Sequence, residues 1–201
     1  INFASSQMLL WEQRGYGLTR VMDITTVAVQ GSLIHFSEFQ QAARLAGGAF
    51  YQSGQSFEEM SAVFMISAAS GAVPLGRIGF AARGMMSDLI KSSDTSTKAG
   101  KAWSLMGVDA YDASERMKPV SKIMEEIRAK TARMSQEERN LAINTMFTQR
   151  ARGVVIALLS LSTAKYDAYI KRVTESNGAM QKQADIIEKS ASGQFQILTN
   201  R

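Results

Sequence analysis

The chain has 201 residues, 45% of them apolar and 20% charged, which is the balance of a globular protein with a sizeable core and not of a disordered one. Cysteine is absent, excluding disulfides, thiolate catalysis and Cys-based zinc sites. The formal net charge of +5 comes from 23 Lys and Arg against 18 Asp and Glu. The basic residues are scattered, so they read as a solvated surface and not as a nucleic-acid groove, leaving Arg150-Ala151-Arg152 as the best local candidate for a polyanion contact.

Only Pro74 and Pro119 could break helices by ring sterics, and β-branched runs are short, so helix is expected nearly throughout. Residues 1–17 read as a lead-in segment or linker, helical near Met8 to Trp11 and broken at Gly15-Tyr16-Gly17. Leu18 to Gln30 predicts a helix with Leu18, Val21, Met22, Thr25 and Val29 on one face, closed by Gly31-Ser32. The next helix is expected from about Ser37 to Ala46. A Ser37–Gln40 capping box opens it, and Gly47-Gly48 interrupts it before a short continuation to Tyr51. Ser56-Phe57-Glu58-Glu59 is a stronger capping box, leading a helix with Phe57, Met60, Phe64 and Ala68 that stops at Ser70-Gly71. A helix from near Pro74 to about Lys91 carries Gly76, Gly79 and Gly84. Three glycines that cost helix stability point to a close helix–helix approach or a bend.

After a polar loop over residues 92–96, a helix from about Thr97 ends at Gly107, a natural left-handed cap. Val108 to Lys118 is not comfortable helix, because Pro119 disfavours helical geometry at Lys118 and Asp112-Ala113-Ser114 is turn chemistry. Two short extended arms, about 108–111 and 115–118, are predicted around that turn. Pro119 suits the first position of the following helix. Met117, Val120, Met124, Ile127, Thr131 and Met134 follow three-four spacing on that helix, facing either its own core or sister helices in an oligomer. Its other face pairs Lys122 with Glu126 and Glu126 with Lys130. A Ser135–Glu138 box opens a helix to about Arg150, Gly153 introduces an apolar helix to Leu161, and Ser162 to about Glu175 is helical. Asn177-Gly178 breaks the pattern before a last helix from Ala179 towards Leu198.

No constellation supports catalysis, a cofactor or a metal. His35 is the only histidine, and a lone imidazole in the context Leu33-Ile34-His35-Phe36 reads as structural. Asp109 and Asp112 flank a turn, where aspartate bonds its own backbone. The glycine spacing at 76, 79 and 84 lacks the preceding strand and the Gly-Lys-Ser/Thr of a phosphate loop. The apolar runs Met60 to Gly76 and Gly153 to Ala164 are too broken or too short to span a bilayer and read as buried helices. The chain begins at Ile1 and is expected to be an excerpt of a longer one.

The ordered series from Leu105 to Arg152 resembles the core region of tail tape-measure proteins of long-tailed bacteriophages. The residues that carry it are Leu105-Met106-Gly107-Val108, Tyr111-Asp112, Lys118-Pro119, Ser135-Gln136-Glu137-Glu138-Arg139 and Phe147-Thr148-Gln149-Arg150-Ala151. The flanks are similar too: Val21-Met22-Asp23 through Ser32, Phe39 to Gly47, Gly54 to Ser70, Tyr166-Asp167, Asn177-Gly178-Ala179 and Gly193 to Leu198. The turn Asp112-Ala113-Ser114-Glu115 departs from the family in lacking a glycine.

The resemblance implies an all-α, multi-helix domain over residues 18–201, with sub-units 18–107 and 108–201 and a short extended turn or mini β-hairpin near 108–118. It implies a virion structural protein and no enzyme: a tape measure in the tail-tube lumen that sets tail length during assembly and leaves to aid DNA ejection. Its expected partners are sister copies as a homotrimer, tail tube and distal tail or baseplate hub proteins, and tail assembly chaperones, with transient host-membrane contact and no specific nucleic-acid recognition. Its expected location is the tail lumen or tip, and the host cytoplasm during assembly. The residues expected to matter are Gly107, Tyr111, Asp112, Pro119, Ser135, Glu138, Arg139, Phe147 and Arg150, with Met117, Val120, Met124 and Ile127 as subunit contacts. The rival reading is a membrane-active helical module forming a DNA passage, drawn from Met60–Pro74 and Gly153–Ala164.

Overall fold

The computed structural model describes residues 9–199, with side chains up to residue 189. Ten helices follow one another there: α1 Leu18–Gln30, α2 Phe36–Gln52, α3 Phe57–Ser70, α4 Ile78–Ile90, α5 Lys98–Met106, α6 Val120–Thr131, α7 Gln136–Met146, α8 Gln149–Ser160, α9 Thr163–Thr174 and α10 Ala179–Thr199. Short 3-10 turns at Glu12–Arg14 and Leu75–Arg77 precede α1 and α4.

The fold is organised around α3. Its residues 59–68 are buried on every side, and it packs against α1, α2, α4, α8 and α9. A helix that is apolar all round belongs in a core or a membrane, and here the surrounding helices supply the core. Phe57, Phe39, Phe64 and Phe50 form an edge-to-face chain through it. Trp11 extends the chain, 5.4 Å from the Phe57 ring and fully buried. Other packed pairs are α2 with α4, α4 with α8, α5 with α7, α6 with α8 and α9, α1 with α2, α9 and α10, and α7 with α8.

Several expected boundaries move, each for a visible reason. α2 runs unbroken through Gly47-Gly48. Its first turn is set by Glu38, which accepts from the His35 N–H at 2.9 Å, and not by Ser37 and Gln40. On α1 the inward face is Val21, Ile24, Thr25 and Ala28, with Asp23 buried as well, while Leu18 is exposed. The helix predicted from Pro74 begins as the 3-10 turn and becomes α-helical at Ile78. There Gly79 is the close contact foreseen: a Cβ on it would lie 2.6 Å from the Ala42 Cα. Gly76 faces open space.

The helix expected to reach Arg150 stops at Met146, because Phe147 turns extended and is buried edge-on against Trp103, 5.2 Å away. α8 then starts at Gln149, with Gly153 inside it. Around 108–118 no strand forms. One isolated antiparallel bridge joins Tyr111 and Met117, flanked by Asp112 N–H to Arg116 C=O at 2.8 Å and Lys118 N–H to Ala110 C=O at 2.9 Å. It is a bridged turn and not a β-hairpin.

Candidate functional site

The polar chemistry of this chain concentrates where helices start and stop. The first four N–H groups of a helix lack intrahelical partners, as do its last four C=O groups, and the N-terminus carries partial positive charge and the C-terminus partial negative charge. Some helices satisfy these ends locally. Ser135 accepts from the Glu138 N–H at 3.2 Å while the Glu138 carboxylate accepts from the Ser135 N–H at 2.8 Å. Thr97 accepts from Gly100 and Ser162 from Lys165.

The start of α6 is satisfied from the other half of the chain. Pro119 supplies no donor and occupies the cap position with extended geometry, φ −51° and ψ 140°, one residue before the helix and not its first residue. Gln55 Oε1 accepts from the Val120 N–H at 3.1 Å, and Gln55 Nε2 donates to the Lys118 C=O at 3.0 Å. Glu59 Oε1 accepts from the Ser121 N–H at 2.6 Å and from the Tyr166 hydroxyl at 3.4 Å. Glu59 therefore does not complete the Ser56 box, in which Ser56 caps α3 alone by accepting from the Glu59 N–H. Burial raises the Glu59 carboxyl above its ordinary range, opposed by the bonds from Ser121 and Tyr166. The Tyr166 hydroxyl is pushed well above its usual value by burial and by the Glu59 charge.

The same device recurs. Asp23 of α1, 3% exposed, accepts from the Gly178 and Met180 N–H groups at 2.8 and 2.9 Å and so holds the start of α10. Asp88 of α4 accepts from both the N–H and the hydroxyl of Thr148 at the start of α8. Arginines do the converse at carboxyl ends. Arg20 donates to the Val173 and Thr174 carbonyls of α9 while pairing with Glu58 at 2.7 Å. Arg128 donates to the Leu158 and Leu159 carbonyls of α8. Tyr16, hydrogen-bonded to Glu58, has its hydroxyl pushed up to about 12, by burial first and Glu58 second.

The residues singled out from sequence sort onto this frame. Gly107 takes the left-handed cap of α5 at φ 66°. Tyr111 and Asp112 build the bridged turn: Asp112 accepts from the Ser114 and Arg116 N–H groups, which holds its carboxyl below the usual range, the Arg116 bond contributing most. Asp109 likewise accepts from the Tyr111 N–H. Ser135 and Glu138 form their box, and Arg139 donates to the Thr131 C=O at the end of α6. Phe147 is buried and Arg150 exposed.

Val120, Met124 and Ile127 have no exposed surface and lie in the chain's own core, with Met117 partly buried against it. As placed, they offer no face to a sister copy. The predicted Lys122–Glu126 and Glu126–Lys130 pairs are replaced by Lys122–Glu125 and Lys118–Glu126. The Arg150–Arg152 patch divides, because Arg152 donates to the Asn144 and Phe147 carbonyls of α7.

Sequence reasoning missed Asp23, Gln55, Glu59 and Asp88 as ties between helices. The available signal was a carboxylate at an inward position of an apolar run, as in Met22-Asp23-Ile24 and Glu59-Met60, where an unpaired charge would be costly.

Among the described residues no group of three or more His, Asp or Glu could hold a metal ion, and no helix is long and apolar enough to cross a membrane. Both segments behind the membrane reading contribute core: α3 through residues 59–68, and α8 through Val154, Val155, Ala157 and Leu158. The polar sites are ties that hold helices to one another, and every predicted acid–base candidate is occupied as a cap or turn.

This is the architecture of an all-helical structural module. The chain belongs to the phage-related minor tail protein family, whose model matches residues 5–148. It is also similar to a tape measure protein of Pneumococcus phage Dp-1, with 25% identity over 198 residues. That match covers 96% of this chain and 17% of the relative, so the chain spans about a sixth of that relative's length. No solved structure matches.

Proposed function

We propose that the chain is a folded module of a tail tape-measure protein, a virion component that sets tail length by templating and not by turnover. The observation that supports this most directly is the match across nearly the whole chain to a protein of that name. The fold adds a distinction. A ruler works through its extended length, about 1.5 Å per residue of helix. Here the helices double back around α3 and are tied across more than a hundred residues, as in Asp23 to Gly178 and Arg20 to Thr174. This module therefore acts as an anchoring or docking body on the ruler and contributes little to its length. Residues 9–189 form its core as one unit, since Trp11 lies inside it and the ties run between residues on either side of 107.

The finer expectations follow from that reading. The module occupies the lumen or tip of the tail, packs with sister copies and distal tail proteins, and is handled by assembly chaperones and released with DNA.

In-frame deletions in the parent gene test the proposal. Removing helical segments outside this module shortens tails in proportion, read by electron microscopy. Removing α6 to α8 stops tail formation without yielding tails shortened in proportion. Normal tails shortened by the length of the deleted helices would contradict the assignment of this segment as an anchoring body.

A further inference from the structure

Several arginines among the described residues carry no side-chain hydrogen bond or ion pair, and two of these stand at helix amino ends around one groove. Arg77 immediately precedes α4, and Arg150 is the second residue of α8. Neither side chain has a hydrogen bond or ion pair among the described residues. Both stand at the positive end of a helix dipole, where a cation is unfavourable; neither helix has an acidic residue in its own first turn, and the start of α8 is met by Asp88 of α4.

Both arginines line one groove of about 760 Å³ between α4, α8 and the turn before α4. Its walls include Val73, Pro74, Phe80 and Ala81, and no carboxylate lines it. Phe80 is 51% exposed. Phe80 thus sets an open apolar face beside two guanidinium groups that have no carboxylate partner.

We propose that this groove docks a peptide segment of a partner tail protein that carries an aliphatic or aromatic side chain flanked by carboxylates. The apolar side chain covers Phe80 and the Val73–Pro74 wall, and the carboxylates neutralise Arg77 and Arg150. Charge complementarity selects this occupant: the lining is cationic and lacks any acid, so an acidic segment gains from both guanidinium groups. An apolar floor with two flanking arginines suits an amphipathic peptide better than duplex DNA, which calls for a basic array spaced to the phosphates. The proposal rests on the tail-component reading only for the partner's location. The groove chemistry stands without it.

The test is fluorescence anisotropy on the intact chain with three labelled probes: a twelve-residue peptide of alternating Glu and Leu, a Glu-Ser peptide of the same charge, and a short DNA duplex. The Glu-Leu peptide binds, and binding weakens with salt. Arg77→Glu with Arg150→Glu lowers its affinity by at least about ten-fold and Phe80→Ser by about three-fold or more, while circular dichroism stays unchanged and Tm does not fall, because all three side chains are exposed and an acid at a helix start is favourable. Equal binding of the Glu-Ser peptide, tighter binding of the duplex, or indifference of the Glu-Leu peptide to both variants would each overturn the proposal. Failure of this binding would leave the tail-length experiment untouched, so the two readings fail separately.

Discussion

Two consecutive helices, α6 and α7, begin by opposite means. α7 is capped by residues three apart, Ser135 and Glu138, both exposed to solvent. α6 follows a proline and is capped by Gln55 and Glu59, more than sixty residues away in sequence and buried. The first arrangement stabilises a helix wherever it happens to sit. The second stabilises α6 only when it is docked on the loop and first turn of α3, so it couples helix formation to tertiary structure. α7 buries only Ile143 and Met146, whereas α6 buries Val120, Ile123, Met124, Ile127 and Thr131. The helix with more core depends on the remote cap.

The sharpest way to break this contrast is Gln55→Ala. It strands a buried N–H and a partly buried C=O at the start of α6, and unmet buried groups cost about 1–3 kcal/mol each. A loss of about 3 kcal/mol in denaturant unfolding is expected.

Glu59 comes next. Glu59→Ala removes the acceptor for Ser121 and leaves the Tyr166 hydroxyl unmet, at about 2–3 kcal/mol. Glu59→Gln keeps an acceptor and removes a charge disfavoured by burial. Because the folded carboxyl is raised above its ordinary value of 4.5, the native state binds the extra proton between the unfolded and folded values. Its contribution is complete below the unfolded value and is lost as pH rises through the folded one. Wild-type stability should therefore fall over that window relative to Glu59→Gln, as read by urea midpoints across pH. Parallel profiles would show that Glu59 does not titrate as described.

Asp23→Ala extends the comparison to a second remote cap. With two N–H groups of the Gly178–Met180 turn left unmet, about 2 kcal/mol is expected in the same unfolding assay. The local cap is smaller: Ser135→Ala should cost about 1 kcal/mol. Smallest of all is a gain at the bridged turn. Glu115 adopts φ 58°, a left-handed geometry that costs a non-glycine residue about 1–2 kcal/mol, part of which returns as glycine's larger unfolded entropy. Glu115→Gly should raise stability by about 0.5 kcal/mol, measurable as a small increase in Tm.

The same contrast explains what the sequence discloses. Helices bounded by local signals were legible: Ser56 and Gly71 bracket α3, Thr97 and Gly107 bracket α5, and Gly178 precedes α10. Boundaries decided by packing were not. Nothing near Phe147 announces a break; Trp103 and Asp88 impose it from other helices. Gly47-Gly48 looked like an interruption, but α2 is held against α4 through the Ala42–Gly79 contact and continues. The Met117–Met134 spacing identified a buried stripe without saying what would bury it. The turn over 112–115 reads as lacking a glycine, without a position; the structure puts the left-handed residue at Glu115. Arg77 was legible only as scattered charge and Arg150 only as part of a short basic patch, because the groove between them exists only once α4 and α8 pack.

The most direct test is hydrogen exchange of individual amides in Gln55→Ala under native conditions. If α6 is held from Gln55 and Glu59, protection falls at Val120 and Ser121 and along the first turn of α6, while Glu138 and Arg139 in α7 keep their wild-type rates. Unchanged protection at Val120 and Ser121, or an equal fall in both helices, would contradict the claim that α6 takes its start from the other half of the chain.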